Sequence, residues 1–103
     1  MPLPPRDHRI PLEAAAALTR RYREQAGKGV ERAGAFQADQ VRALLDQKGC
    51  AALRVYYGRQ PDGHDSLILV GVDQDDRDMT GGILLEFNYP CPPFCDDGSL
   101  LSS

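Results

Sequence analysis

Three cysteines carry the most reactive side-chain chemistry in this sequence. Cys91 and Cys95 lie four positions apart in the stretch Cys-Pro-Pro-Phe-Cys, and Cys50 stands much earlier in the chain. The prolines restrict the backbone between the late cysteines, so both sulfurs can face one centre with a smaller loss of entropy on binding. Because thiolates bind zinc and iron–sulfur clusters, the three cysteines are compatible with a site for one of these cofactors, although zinc sites usually have two or four residues between paired cysteines. The sequence offers three candidates for a fourth ligand: His8, His64 and Asp96.

The late cysteine pair has three further interpretations. One is a local disulfide between Cys91 and Cys95, and another is a redox-active dithiol whose thiolate is the reactive species. In the third, both are small buried groups that anchor the tail beneath its prolines. The spacing is not Cys-x-x-Cys, and the carboxylates of Asp96 and Asp97 disfavour a thiolate beside them. The odd cysteine count leaves at least one thiol unpaired within the chain.

A second candidate site consists of polar side chains in the strand-like half of the sequence. Arg54, Tyr56 and Glu86 are predicted to share one sheet face, where they form either a small-ligand pocket or a cross-strand ion pair. The acidic run Asp73–Asp78 departs from the calcium-loop pattern and is typical of a solvated turn. No serine stands in an elbow sequence, so nucleophilic hydrolysis finds no support.

The elements that position these residues change from helical to strand patterns along the chain. Apolar residues recur at helical spacing from Leu12 to Ala26, and a shorter helix is predicted from Phe36 to Gln47. Beyond it, apolar residues alternate or form a continuous run, which is typical of strands. Three strands are predicted: Gly49–Gly58, Ser66–Val72 and Gly82–Phe87.

These elements predict a single α+β domain over residues 11–103, preceded by an extended arm over residues 1–10. Two N-terminal helices are expected to pack on one face of a three-stranded antiparallel meander, with a cysteine-bearing C-terminal tail. The helices are expected to cover Leu53, Val55 and Tyr57. Ser66–Val72 is apolar on both faces, so it is expected between two other strands.

The opposite face of the predicted sheet is also apolar. An uncovered apolar face on so small a domain is a liability unless the tail or another subunit covers it. The residues expected at such an interface are Tyr56, Ile68, Val70, Val72 and Leu84.

Composition narrows the class of protein and its partners. The chain has 103 residues, a net charge of −3 and no apolar run long enough for a membrane span. Its first residues lack the apolar stretch of a secretory signal, so a soluble cytoplasmic protein is expected.

Residues 1–60 hold 11 Lys and Arg against 6 Asp and Glu, and residues 61–103 hold 1 against 9. This polarity suits a basic layer beside acidic strand ends or attraction between subunits, and the acidic balance argues against nucleic acid.

Several segments together resemble a small bacterial protein family with no established activity. The resemblance covers most of the chain, and the segments that carry it are Ile10-Pro-Leu-Glu, Thr19-Arg-Arg-Tyr-Arg, Phe36, Gly49-Cys50, Leu53-Arg-Val-Tyr-Tyr-Gly58, Leu67-Ile-Leu-Val-Gly-Val-Asp73 and Cys91-Pro-Pro-Phe-Cys95. The chain is also similar in size and cysteine order to A-type iron–sulfur carriers. One residue separates the late cysteines of those carriers, whereas three separate Cys91 from Cys95.

Taken together, the sequence predicts a small non-enzymatic accessory or interaction protein that binds itself or another protein. In this interpretation the Cys-x3-Cys tail is an ordered cap that a structural metal holds. The alternative is a thiol redox protein or an iron–sulfur or metal carrier that uses Cys50, Cys91 and Cys95.

Overall fold

The computed structural model describes residues 1–102 and contains two helices and five strands. The helices are α1 (Leu12–Ala26) and α2 (Ala38–Leu45). The strands are β1 (Ala33–Ala35), β2 (Ala52–Arg59), β3 (Asp65–Val72), β4 (Leu84–Leu85) and β5 (Tyr89–Cys91). All strand pairing is antiparallel, which confirms the predicted mixture of helices and antiparallel sheet.

The chain forms two compact units, which are described separately. The sheet unit contains Met1–Pro5 and Phe36–Asn88, and therefore α2 and strands β2 to β4. The cystine unit contains Arg6–Ala35 and the segment that begins at Tyr89, and therefore α1, β1 and β5.

In the sheet unit, β3 lies between β2 and β4, as its continuous apolar run predicts. β2 and β3 pair along their full length, from Ala52 opposite Val72 to Arg59 opposite Asp65. The turn between them contains Gly63 at φ 93°, a conformation that glycine adopts without steric cost. β4 adds only two pairs, to Leu69 and Val70 of β3.

The buried side chains of this unit belong to α2 and to both faces of β3. Leu44 of α2 is fully buried, and Val70 and Val72 are 2% and 1% exposed. Burial of such side chains supplies most of the stability of a small domain, at roughly 1.5–3 kcal/mol for each.

Gln47 joins the end of α2 to the sheet. Its Nε2 donates to the Leu44 carbonyl at 2.8 Å, and its Oε1 accepts from the Ile83 backbone N–H at 2.8 Å. A Cβ at Gly71 would lie 3.2 Å from Gln47 Nε2 and 3.0 Å from Cys50 Sγ. Glycine at position 71 therefore lets the segment after α2 lie against β3.

The expectation that two helices cover the face of Leu53, Val55 and Tyr57 is wrong. These side chains are 40%, 44% and 91% exposed. α2, the helix of the sheet unit, contacts β3. The physical reason is length, because eight helical residues span about 12 Å whereas eight strand residues span about 26 Å.

The cystine unit contains a second sheet that the sequence analysis missed. β1 pairs with β5 through Ala33 opposite Cys91, Gly34 opposite Pro90 and Ala35 opposite Tyr89. Ala-Gly-Ala has no β-branched or aromatic residue, and β5 contains a proline, so neither segment carries a strand signal. The single three-stranded meander is therefore an incomplete description of the fold.

Element boundaries differ where signals are weak. α1 has the predicted bounds, with Ala16 on its buried side. The second helix is shorter than the predicted Phe36–Gln47, and the third strand is shorter than Gly82–Phe87. Phe87 has φ 53°, a left-handed conformation that no strand continues through, so pairing ends before it.

Candidate functional site

Arg54 and Tyr56 lie together on one face of the sheet, as their alternation along β2 predicts, and contact the acidic turn. Arg54 Nη1 donates to Asp78 Oδ1 at 2.6 Å, and its Nη2 donates to Asp76. The Tyr56 hydroxyl donates to the second oxygen of Asp78. We call these four residues the arginine clamp.

The turn that supplies the two aspartates is held by its own hydrogen bonds. Asp73 Oδ1 accepts from the backbone N–H groups of Asp75 and Arg77 at 2.8 and 3.0 Å. Asp76 has φ 63°, a left-handed conformation that Asp tolerates better than most residues. The run Asp73–Asp78 is thus an ordered turn whose last carboxylates face back to the sheet.

The clamp shifts the pKa values of its members. The Tyr56 hydroxyl bond and the Arg54 guanidinium lower the pKa of Asp78 below its ordinary 3.8. The same carboxylate raises the pKa of Tyr56, and the bonds to Asp76 and Asp78 raise the pKa of Arg54. With these pKa directions, Asp78 and Arg54 carry opposite charges at neutral pH and the Tyr56 hydroxyl keeps its proton, which suits attachment of the turn to the sheet.

Glu86 has a different partner from the one that the sequence analysis proposed for it. Its carboxylate accepts from Gln60 Nε2 instead of contacting Arg54. Of the predicted ligand set, the structure brings together Arg54 and Tyr56, and it adds Asp76 and Asp78. These aspartates were missed because the acidic run carries only a turn signal.

The cysteines separate into a bonded pair and one thiol. Cys91 and Cys95 form a disulfide with Cα atoms 4.9 Å apart. A local disulfide is one of the interpretations that the sequence allows for this pair. Cys50 is a free thiol of the sheet unit, and its Sγ donates to the Ala52 carbonyl at 3.4 Å. Within residues 1–102, no three His, Cys, Asp or Glu side chains are grouped to hold a metal ion. Disulfide sulfurs are not thiolates, so metal ligation by Cys91 and Cys95 requires the reduced pair.

The two sulfurs of the disulfide have different surroundings. Cys91 is 3% exposed, whereas Cys95 is half-buried. Arg32 Nη2 lies 3.9 Å from Cys95 Sγ, and the Arg32 backbone N–H donates to the Cys91 carbonyl at 2.8 Å. Pairing of β1 with β5 brings Arg32 to the disulfide across a separation of 63 residues, so no local motif could have identified it.

Arg32 also lines a cavity of about 330 Å³ in the cystine unit. The cavity lies between the last turn of α1 and the loop that follows it. Three of its lining residues are cations and one is an anion: Arg23, Lys28, Arg32 and Glu24. Tyr22, Ala26 and Val30 contribute apolar surface.

The predicted interface residues share a sheet face but differ in exposure. The register places Tyr56 opposite Ile68 and Val70 opposite Leu84. Tyr56 and Leu84 are exposed, whereas Val70 and Val72 belong to the core of the same chain. Self-association through this face stays a prediction.

Among residues 1–102, β3 is the one strand that pairs with β2, so the other edge of β2 is a free edge. The Gln60 N–H donates to the His64 carbonyl directly opposite at 2.7 Å, which marks a hydrogen-bonded pair. Such pairs recur at every second residue of an antiparallel ladder, so even-numbered residues of β2 bond to β3. The Gly71 carbonyl accepts from the Met79 N–H at 2.8 Å, so the odd-numbered residues of β3 bond on the side away from β2. This leaves the even-numbered residues of β3 to bond to β2, in agreement with the first observation.

The N–H and C=O groups of the odd-numbered residues of β2 therefore point away from the sheet. These residues are Leu53, Val55, Tyr57 and Arg59. We call their outward backbone groups the β2 edge. The apolar side chains on the same residues are exposed, as described above.

No helix among residues 1–102 has both the length and the apolar composition needed to cross a membrane. No family model, curated protein or solved structure matches the chain. The resemblance to a bacterial family stays a prediction.

Proposed function

We propose that this protein is a small interaction module that associates with a second copy of itself through the β2 edge. The observation that carries the proposal is the free edge of an eight-residue strand with exposed Leu53, Val55 and Tyr57. Unpaired strand edges are templates for pairing with another chain.

β2 lacks the features that usually protect an edge. It contains no proline and no lysine, and it pairs with β3 without interruption from Ala52 to Arg59. Of its two arginines, Arg54 has its charge paired with Asp76 and Asp78. The remaining cation, Arg59, lies at the end of the strand and faces Asp65 at 3.1 Å.

A second copy is the occupant that best matches this edge. A two-fold axis beside Tyr56 pairs each outward residue of one chain with an outward residue of the other. Leu53 then faces Arg59, and Val55 faces Tyr57. The latter is a contact between β-branched and aromatic side chains, which contributes roughly 0.2–1 kcal/mol. The same register places Arg54 opposite Gly58, so the two arginines do not face each other.

Sedimentation velocity across a series from nanomolar to high micromolar protein tests the proposal. We expect a monomer–dimer equilibrium, because each strand edge is satisfied by one partner. A strict monomer at high micromolar concentration would overturn it. If the protein dimerises but hydrogen–deuterium exchange shows no added protection at the outward amides of Leu53, Val55, Tyr57 and Arg59, the contact lies elsewhere.

A second candidate function is thiol–disulfide exchange at Cys91 and Cys95. It is favoured by the unequal exposure of the two cysteine residues and by the guanidinium of Arg32 beside Cys95. A cation beside a cysteine stabilises its thiolate, which is the reactive species in exchange. In a reducing compartment, a disulfide of this kind is transient and has a redox role.

Titration of the disulfide in buffers of defined dithiol to disulfide ratio tests this candidate. We expect the disulfide to open and close reversibly with the buffer ratio. Alkylation of the free thiols and mass spectrometry measure the fraction that is open. A disulfide that stays closed in the folded protein at every ratio would exclude it.

A further inference from the structure

We infer that the cavity beside Arg32 binds the anionic end of a low-molecular-weight thiol and delivers its sulfur to Cys95. The inference rests on the second candidate function, because it names the substrate class for that exchange. The feature that carries it is one side chain with two contacts. Arg32 lines the cavity and also lies 3.9 Å from Cys95 Sγ.

The charges of the cavity select an anion. Arg23, Lys28 and Arg32 line it together with one carboxylate, Glu24, so the cations are in excess. Arg23 Nη1 donates to the Leu101 carbonyl at 2.7 Å, which leaves Lys28 and Arg32 as the principal contacts for a ligand. A cleft with one dominant charge raises the local concentration of ligands of opposite charge.

Size and polarity match a small carboxylate-bearing thiol. A cavity of about 330 Å³ lies at the lower end of the range for small-ligand sites. Tyr22 and Val30 provide apolar surface for the carbon chain, and the Tyr22 hydroxyl donates to the Glu31 carbonyl at 3.4 Å. In this inference the carboxylate binds Lys28 and Arg32, and the sulfur at the other end of the molecule approaches Cys95, which lies 3.9 Å from Arg32 Nη2.

The reaction consists of two exchange steps. The thiolate of the ligand attacks Cys95 Sγ, a new sulfur–sulfur bond forms, and the bond to Cys91 breaks. The electron pair leaves on Cys91 Sγ, which takes a proton from water. A second ligand thiolate then attacks the ligand sulfur of the mixed disulfide and releases the oxidised ligand dimer. Cys95 leaves as a thiolate beside the Arg32 guanidinium, so two thiols are oxidised and one protein disulfide is reduced.

The test compares three thiols of similar size and different charge on the full chain carrying Cys50→Ser. Mercaptopropionate is anionic, mercaptoethanol is neutral and cysteamine is cationic. The rate of opening is followed by alkylation and mass spectrometry, and it is divided by the thiolate concentration of each reagent. We expect mercaptopropionate to react about tenfold faster than cysteamine at low salt, and the difference to shrink as salt rises.

Two variants locate the preference in the cavity. Lys28→Gln removes a lining cation, so the charge preference is expected to fall about threefold. Arg21→Gln is the matched control, because Arg21 lies on α1 outside the lining of the cavity, and it is expected to keep the preference.

The outcomes separate the inference from the function on which it rests. If none of the thiols opens the disulfide, the exchange function fails, and the inference fails with it. If all three open it equally per thiolate, or if Lys28→Gln and Arg21→Gln behave alike, exchange stands and the cavity has no role in it.

Discussion

The substitution Val55→Pro tests whether two copies pair through the β2 edge, because it is expected to weaken that pairing and to leave the β2–β3 sheet intact. Val55 is an odd-numbered residue, so its N–H points away from β3 and takes no part in the β2–β3 ladder. Proline lacks that N–H and is tolerated at such edge positions. Val55→Pro therefore removes an outward donor while the sheet of the monomer is retained.

The expected effect follows from the symmetry of the proposed dimer. Four facing pairs of outward residues would exchange about eight backbone hydrogen bonds, and each chain donates one of them from Val55. Both copies carry the substitution, so two bonds are lost. At a net value of about 1 kcal/mol for each bond, the dimer weakens by about 2 kcal/mol, or roughly 30-fold in Kd.

Sedimentation equilibrium on the wild type and two variants measures this difference. Val55→Thr is the control, because it keeps the N–H and the β-branched shape and is expected to change Kd less than about fivefold. Circular dichroism and thermal unfolding at a concentration where all three are monomers check that the fold is kept.

Normal folding of Val55→Pro together with wild-type affinity for the dimer would contradict pairing through the β2 edge. That pairing is equally refuted if Val55→Thr weakens the dimer as much as the proline, since side-chain packing and not the backbone edge would then hold it.

Three further predictions concern the core, the clamp and the cysteines. Leu44→Ala is expected to destabilise the sheet unit by about 3 kcal/mol in urea unfolding, whereas Leu45→Ala costs less than about 1 kcal/mol, because Leu44 is fully buried and Leu45 is 42% exposed; similar losses would contradict the described core. The lowered pKa of Asp78 means that its carboxylate stabilises the fold at neutral pH, and this contribution is lost as pH falls through values below 3.8. The melting temperatures of wild type and Asp78→Asn are therefore expected to converge in acid, and a constant difference down to the acid limit would argue against the clamp. Protein purified without chelator is expected to hold no stoichiometric zinc or iron while the Cys91–Cys95 bond is intact, and elemental analysis beside a thiol count checks this.

The sequence predicts the elements with strong periodic patterns. Apolar residues at helical spacing predict α1. Alternating apolar residues predict β2, and a continuous apolar run predicts β3. A Pro-Asp-Gly turn signal lies between these two strands. β1 and β5 could not be predicted, because Ala-Gly-Ala and Tyr-Pro-Cys are strands only through their pairing with each other.

The sequence predicts the candidate sites only in part. Arg54 and Tyr56 were placed together by strand alternation, but Asp76 and Asp78 reach them through a left-handed turn residue that spacing does not reveal. The disulfide was one of several alternatives, because the bonding state of cysteines four apart depends on backbone geometry that composition does not fix. Arg32 reaches Cys95 through long-range strand pairing, which only a folded chain displays.

In the dimer proposed above, the unequal margins of the three-stranded sheet would limit further assembly. One margin is β2, with eight residues, and the other is β4, with two. Joining two copies about a two-fold axis consumes both long margins, and the six-stranded sheet that results ends on a two-residue strand at either side. An isologous contact of this kind is closed, so growth stops at the pair and no filament follows. The two margins left in that dimer would both be two-residue strands, which are too short to pair readily with further copies.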